Sequence, residues 1–364
     1  MIIFLIFFIT TNLFSEWNWD GRYYHQSFLN FFQNNKEFEV KYSGLNVFDL
    51  KIDNRVNDNL RVKSEIEYYI INSQKGFLFL DKPEGININT LNIAFSQEKF
   101  KITIGRFLPN WSKSKFFKPL DIFIPQTYFL NLLSFKGIDG FSFKYYFSAL
   151  SSIEVLTVPF FDVRNIVPVK NISLTNEIQH TVSAFNLEFN FSSFENNLVF
   201  LKDISSDNNL IGFEFKGDLI LGVWSELFYS FNGKKNKIFK TSFGSDYSIK
   251  QKYFFMTEFF YDESGGEKED YEFLRLNLKR MTLGKYYAMV NFNILSENDL
   301  NYGITYLENL KDRSFIIFPY LRSEVIQNFI LGLSLYYFGG LGETEFSYKN
   351  FGKFLLNCYL TILF

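Results

Sequence analysis

Apolar and polar positions alternate with a period of two over most of this chain, which is the mark of β-strands whose two faces meet different surroundings. The segment from Leu60 to Ile70 is the clearest case. Leu60, Val62, Ser64, Ile66, Tyr68 and Ile70 fall on one face, and Arg61, Lys63, Glu65, Glu67 and Tyr69 on the other. Phe100, Ile102 and Ile104 oppose Lys99, Lys101 and Thr103 in the same way. Phe141, Phe143, Tyr145 and Phe147 oppose Ser142, Lys144 and Tyr146. One such strand fits a soluble sandwich and a membrane barrel equally well. The set predicts about 18 strands between residues 17 and 364, with 16 as the alternative. Many are roughly 9–12 residues long, the length a tilted strand needs to cross a bilayer.

The connections sort by length. Those after even-numbered strands are short: residues 55–59, 96–98, 192–195, 217–218 and 296–299. Those after odd-numbered strands are often long: residues 28–43, 72–85, 108–137, 160–179, 263–283 and 339–352. A sandwich has no reason to sort its loops. A transmembrane barrel has long extracellular loops and short periplasmic turns. Strand edges left open in hydrocarbon would strand backbone polar groups, so the barrel must close. The expected fold is all-β: an antiparallel up-and-down transmembrane β-barrel over residues 16–364, with both ends on the periplasmic side.

Composition sharpens this picture. Phe (49), Tyr (22) and Trp (4) make up 21% of the chain, spread along its whole length rather than clustered by element. That suits an apolar outside and a polar inside. The charges balance at 37 basic against 39 acidic, which argues against nucleic acid as a partner. One Cys and two His leave no disulfide framework, no thiolate metal cluster and no metal site or cofactor to predict. His180 is expected to face inward as a hydrogen-bonded wall residue. No serine nucleophile pattern accompanies it, so no catalytic residues and no enzymatic activity are expected.

The two ends add direction. Residues 2–9 form an apolar run too short to span a bilayer as a helix, but of the size of a secretory signal core. Residues 1–15 are therefore read as a signal peptide, with the mature chain beginning near Glu16. The last segment alternates Phe354, Leu356, Cys358, Leu360, Ile362 and Phe364 against Asn357, Tyr359 and Thr361. This amphipathic strand ending in Phe resembles the C-terminal recognition strand of bacterial outer-membrane proteins. The resemblance implies the outer-membrane assembly machinery as a partner through Phe364, and outer-membrane lipid around the barrel of a Gram-negative, or diderm, cell.

One segment stands apart. Gly105-Arg106 ends a strand, and Trp111, Pro119, Asp121, Phe123 and Pro125 follow at fixed spacing. This resembles a motif of several bacterial outer-membrane porin and export-channel families. The resemblance implies a pore-forming barrel whose third extracellular loop, residues 108–137, folds near the channel. A loop of this length is uncommon unless functional. Its prolines stiffen it, and Phe116, Phe117, Phe123 and Phe129 supply apolar anchors. Asp121 is placed to brace a turn. The loop is expected to fold inward as a constriction formed by Trp111, Lys113, Lys115, Lys118, Pro119, Asp121 and Pro125, with the three lysines setting a positive potential. The wall is expected to carry Arg61, Lys63, Glu65, Glu67, Lys99, Lys101, Arg106 and Lys144 into the pore. Mixed signs predict no strong ion selectivity. The expected function is passive diffusion of small hydrophilic solutes. The alternative is a surface adhesin or structural barrel that binds through its long loops. Assembly into a homo-oligomer stays open.

Overall fold

The computed structural model describes residues 18–34, 37–73, 84–123, 137–162, 179–205, 208–232, 236–271, 282–296, 299–347 and 352–364. The strands are β1 (Trp19–Asn34), β2 (Glu37–Arg55), β3 (Leu60–Ser73), β4 (Glu84–Ser96), β5 (Phe100–Phe107) and β6 (Ile138–Ser148). They continue as β7 (Ser151–Asp162), β8 (Gln179–Phe191), β9 (Phe194–Asp203), β10 (Asn208–Asp218), β11 (Gly222–Asn232) and β12 (Asn236–Ile249). The last six are β13 (Tyr253–Asp262), β14 (Tyr286–Leu295), β15 (Leu300–Asn309), β16 (Ser314–Ile326), β17 (Phe329–Phe338) and β18 (Phe354–Leu363).

Each strand pairs antiparallel with the next, and β1 pairs with β18, so the 18-stranded sheet closes on itself. Closure runs from Arg22 opposite Leu363 to Phe31 opposite Phe354. The strand ends split the molecule into a turn end, where β1 begins and β18 finishes, and a loop end opposite. The predicted strand count and the sorting of connections both hold. Two connections differ. Residues 28–43 are not a loop: β1 and β2 run on as a paired hairpin up to Asn34 opposite Glu37. The expected residue 217–218 turn also moves, to Leu219, Ile220 and Leu221, all exposed. The predicted signal segment lies outside the described residues. Among those described, no helix is long and apolar enough to cross a membrane.

Alternation fixes the two faces. Phe48, Leu50, Ile66, Tyr68, Ile93, Ile104, Phe141, Phe255, Phe259, Leu331 and Leu333 are exposed around the outside. A band of this kind, continuous around the barrel, exceeds the apolar patches that a soluble monomer leaves in water. Glu67, Asp49, Glu214, Glu226 and Glu258 point the other way and are buried within the barrel. The interior is thus polar by sequence position, yet three apolar clusters form inside it toward the loop end. The loop after β5 seeds the first and joins the second.

Candidate functional site: a loop docked in the lumen

Two glycines set the route of the loop. Gly105 adopts φ +114°, where a Cβ would lie 2.4 Å from the Leu91 carbonyl oxygen. The chain can turn there only without a side chain. At the return, Gly137 donates its N–H to the Asn89 carbonyl at 2.8 Å, and a Cβ at 137 would meet that same oxygen at 2.6 Å. Asn89 is the extra residue of a bulge in β4, opposite the Glu65/Ile66 step of β3.

Between these points, residues 108–123 pack inside the barrel. Trp111, Leu120, Ile122 and Phe123 bury against Leu156 and Val158 of β7, Val182 of β8, Leu201 of β9 and Leu210 of β10. The Trp111 and Phe123 rings meet edge to face at 5.2 Å. Phe117 is fully buried further round, stacked on Phe260 of β13 with ring centroids 4.7 Å apart. Its cluster reaches Phe28 of β1, Tyr336 and Phe338 of β17 and Leu355 of β18. The loop thus joins two apolar clusters on the inner wall, one against β7–β12 and one against β13–β18 and β1.

Wall carboxylates hold the backbone of the loop in place. Glu226 of β11 accepts from Ser114 N at 2.8 Å, from Leu120 N at 3.1 Å and from the Ser112 hydroxyl. Glu214 of β10, directly opposite Glu226 in the ladder, accepts from Lys113 N. Glu258 of β13 accepts from Phe117 N at 2.6 Å and Phe116 N at 3.1 Å. Loop N–H groups have no strand partner and must find acceptors when buried. Three glutamates on three inner-wall positions supply them. Trp111 Nε1 donates to Glu154 of β7 at 3.1 Å, and its carbonyl accepts from Asn197 of β9 at 2.9 Å. Asp121 braces the loop against itself by accepting Ser112 N–H at 3.2 Å. Burial pushes its carboxyl up to about 6, against the pull of nearby Lys118.

The three loop lysines do not stand as free positive charges. Lys113 pairs with Glu195 at 3.6 Å, Lys115 with Asp246 at 2.5 Å and Lys118 with Asp121 at 3.7 Å. Lys115 also lies over the rings of Trp224 and Phe254. The positive potential expected at this point is therefore largely cancelled: Glu195 of β9 and Asp246 of β12 come from strands far away in sequence, and Asp121 from the loop itself. Pro119 is buried with the loop. Pro125 and Phe129 lie outside the described residues.

The predicted wall residues separate into two groups. Arg61, Lys63, Glu65, Glu67, Lys101 and Lys144 sit on the inner alternation. Arg61 and Lys63 both reach Asp53, at 2.5 and 3.3 Å. Glu65 pairs with Lys51 at 3.1 Å, and Glu67 lies 3.9 Å from Arg22, which also holds Asp49. Lys144 pairs with Glu188 at 2.7 Å, and Lys101 lies opposite Lys144 in the ladder. Several of these long cations keep a third to a half of their side chains exposed, as on a wetted wall toward the turn end.

Two assignments need correction. Lys99 lies in the turn before β5, where its carbonyl accepts Tyr146 N–H at 2.7 Å, so it marks the rim. Arg106 shares the outer alternation with Ile104 and pairs with Asp139 at 2.5 Å. With period two, a residue two positions from an outward Ile104 faces outward as well. His180 bonds Asp203 through Nδ1 at 2.6 Å, a wall histidine held by the neighbouring strands.

The fold and its contents thus define a closed 18-stranded antiparallel barrel with residues 108–123, the described part of one long loop, folded into its lumen. Among solved structures it is similar to the outer-membrane porin OpdK of Pseudomonas aeruginosa, determined with vanillate (TM-score 0.63, 10% identity, 97% of this chain and 99% of that one). It is also similar to OccAB1 of Acinetobacter baumannii (TM-score 0.62, 8% identity, 97% of each chain). A third similar structure is Wzi of Escherichia coli, an outer-membrane protein involved in group 1 capsule assembly and described as a carbohydrate-binding β-barrel (TM-score 0.59, 10% identity, 98% of this chain and 87% of that one). At such identities the likeness is one of fold. No protein-family model matches the sequence, and no curated protein matches it.

Proposed function

We propose that this protein is a channel of the outer membrane of a diderm bacterium, passing small hydrophilic solutes passively, with the loop of residues 108–137 as its constriction. The observation that carries this reading is the docking of residues 112–120 on Glu214, Glu226 and Glu258 inside a barrel whose outside is apolar. A barrel of 18 strands has room for an aqueous channel unless something fills it. Here a single buried loop, held by wall side chains rather than woven into the sheet, does the filling. That is the arrangement of an adjustable constriction.

The apolar band around the outside supports a lipid setting, and the porins among the similar structures support the same class. Arg61, Lys63, Glu65, Glu67, Lys101 and Lys144 then line the water-filled part of the path. Residues 1–15 direct export, and β18 with Phe364 just after it is the segment offered to the assembly machinery. No catalytic role is assigned.

Planar-bilayer recording of the purified barrel tests this. The intact protein should conduct, and deletion of residues 112–117 should raise its conductance several-fold once insertion is confirmed by heat-modifiable migration. An inserted barrel with unchanged conductance after the deletion would remove the loop from the path. Silence from both barrels would favour a surface-binding role.

A further inference from the structure

Just below the apolar layer that Phe117 joins, toward the turn end, the lumen holds a cavity of about 370 Å³ between β13 and β1. The two layers are built by the same strands. On β14, Met289 gives way to Asn291; on β15, Leu307 to Thr305; on β18, Leu355 to Asn357; on β1, Phe28 to Gln26. In each case one step along the inner alternation exchanges an apolar side chain for an amide or hydroxyl.

The chemistry of the cavity differs from the rest of the wall. None of its lining side chains carries a formal charge, although the inner faces of β2 and β3 beside it form a dense ion-pair ladder. Arg22, one step from Tyr24 on β1, is engaged by Asp49 and Glu67. Rings supply much of the lining. Phe318 and Tyr336 stack with centroids 5.1 Å apart on one side, and Tyr24 and Tyr359 lie 6.1 Å apart on another. Between them runs an amide relay, Gln26 Nε2 to Asn357 Oδ1 at 2.9 Å and Asn357 Nδ2 to Ser334 Oγ at 3.1 Å. Gln26 is only 4% exposed, and its Oε1 has no hydrogen-bond partner among the described residues.

We infer that this cavity is a binding site for an uncharged, polyhydroxylated ring solute of the mono- or disaccharide class. This rests on the channel reading for how the solute arrives, but not for whether it binds. An ion entering the cavity would shed water with no counter-charge in the lining itself; the cation nearest Tyr359, Arg322, stands one step beyond Tyr320 on β16, toward the turn end. A purely apolar guest would leave the Gln26 carbonyl unpaired. A sugar ring offers apolar C–H faces to the tyrosine rings and hydroxyl donors to the amides at its edge. The volume lies within the range of small-molecule pockets, about 300–1,000 Å³.

Equilibrium dialysis of the full-length, detergent-solubilised barrel against labelled maltose, with glucuronate as the charged counterpart, tests the site directly. Maltose should bind saturably and glucuronate much more weakly. Gln26→Ala should weaken maltose binding about tenfold, as expected for loss of one buried acceptor. Tyr359→Ala should weaken it as well, and heat-modifiable migration reports whether each variant is folded. In parallel, maltose should reduce the ion current of the inserted barrel. Binding without any conductance would uphold the site and overturn the channel. Conductance with no maltose binding, or with glucuronate bound equally well, would overturn the site and leave the channel standing.

Discussion

Glu226 touches the docked loop at three points: the Ser112 hydroxyl, Ser114 N–H and Leu120 N–H. Replacing it by Ala would leave these buried donors without an acceptor, at about 1–3 kcal/mol each. The barrel ladder does not use the side chain, so Glu226→Ala should loosen the loop without unfolding the barrel. Faster amide hydrogen exchange at Ser114 and Leu120, with strand amides unchanged, is the expected signature. A second carboxylate works at the loop end. Glu345 accepts from Leu283 N at 2.9 Å, from the Tyr287 hydroxyl at 2.6 Å and from Asn309 Nδ2 at 2.8 Å. Burial outweighs these donors and pushes its carboxyl from 4.5 up to about 7. The folded chain therefore favours the neutral acid. This group's stabilisation is complete below pH 4.5 and is lost as pH rises through about 7. Glu345→Gln should flatten that part of the stability profile, at a constant cost from its amide facing Asn309. Thermal unfolding followed across this pH window gives the answer.

At the scale of single elements, much of the barrel was legible in the sequence because each strand separates two environments. Ile66 outside and Glu65 inside follow from period two alone. Ile66→Arg should destabilise the inserted barrel by about 2–4 kcal/mol if the residue lies near the bilayer midplane. Glu65→Ala should leave assembly intact. Urea titration of the inserted barrel distinguishes the two. The upper hairpin of β1 and β2 was not legible, because polar and apolar residues over 28–43 do not keep a clear period of two. The docking of the loop was legible only in part. Phe117 and Trp111 announce that something must bury them, and Glu214, Glu226 and Glu258 fall on the inner face by alternation. That these residues meet is invisible in the sequence, since Ser114 and Glu226 are 112 positions apart. Distance likewise hid the partners of Lys113 and Lys115, Glu195 and Asp246. Gly105 belongs to the motif by its place in the sequence, but its positive φ is what gives the motif its turn.

For the whole molecule, many inner charges come as neighbours of opposite sign, while Glu214, Glu226 and Glu258 are turned to the loop backbone. Arg22 with Asp49, Lys51 with Glu65, Lys63 with Asp53 and Lys144 with Glu188 all cancel locally. Reversal potentials measured under a salt gradient should therefore show weak ion preference. Changing Lys113, Lys115 and Lys118 together to Gln should move the preference toward cations, since Glu195, Asp246 and Asp121 would then be left unmatched. A shift toward anions would mean that these pairs do not persist in the working channel.

The seam between β1 and β18 has a consequence for how the chain reaches this state. Gln26 and Asn357, which meet across it, are separated by 331 residues. Until the final strand arrives, every partly assembled sheet has two raw edges, each able to recruit a strand from another copy. Closing so distant a contact is slow compared with forming the hairpins around the sheet. Biogenesis is therefore a race between ring closure and misassembly, and the last strand to be made is the one that ends it.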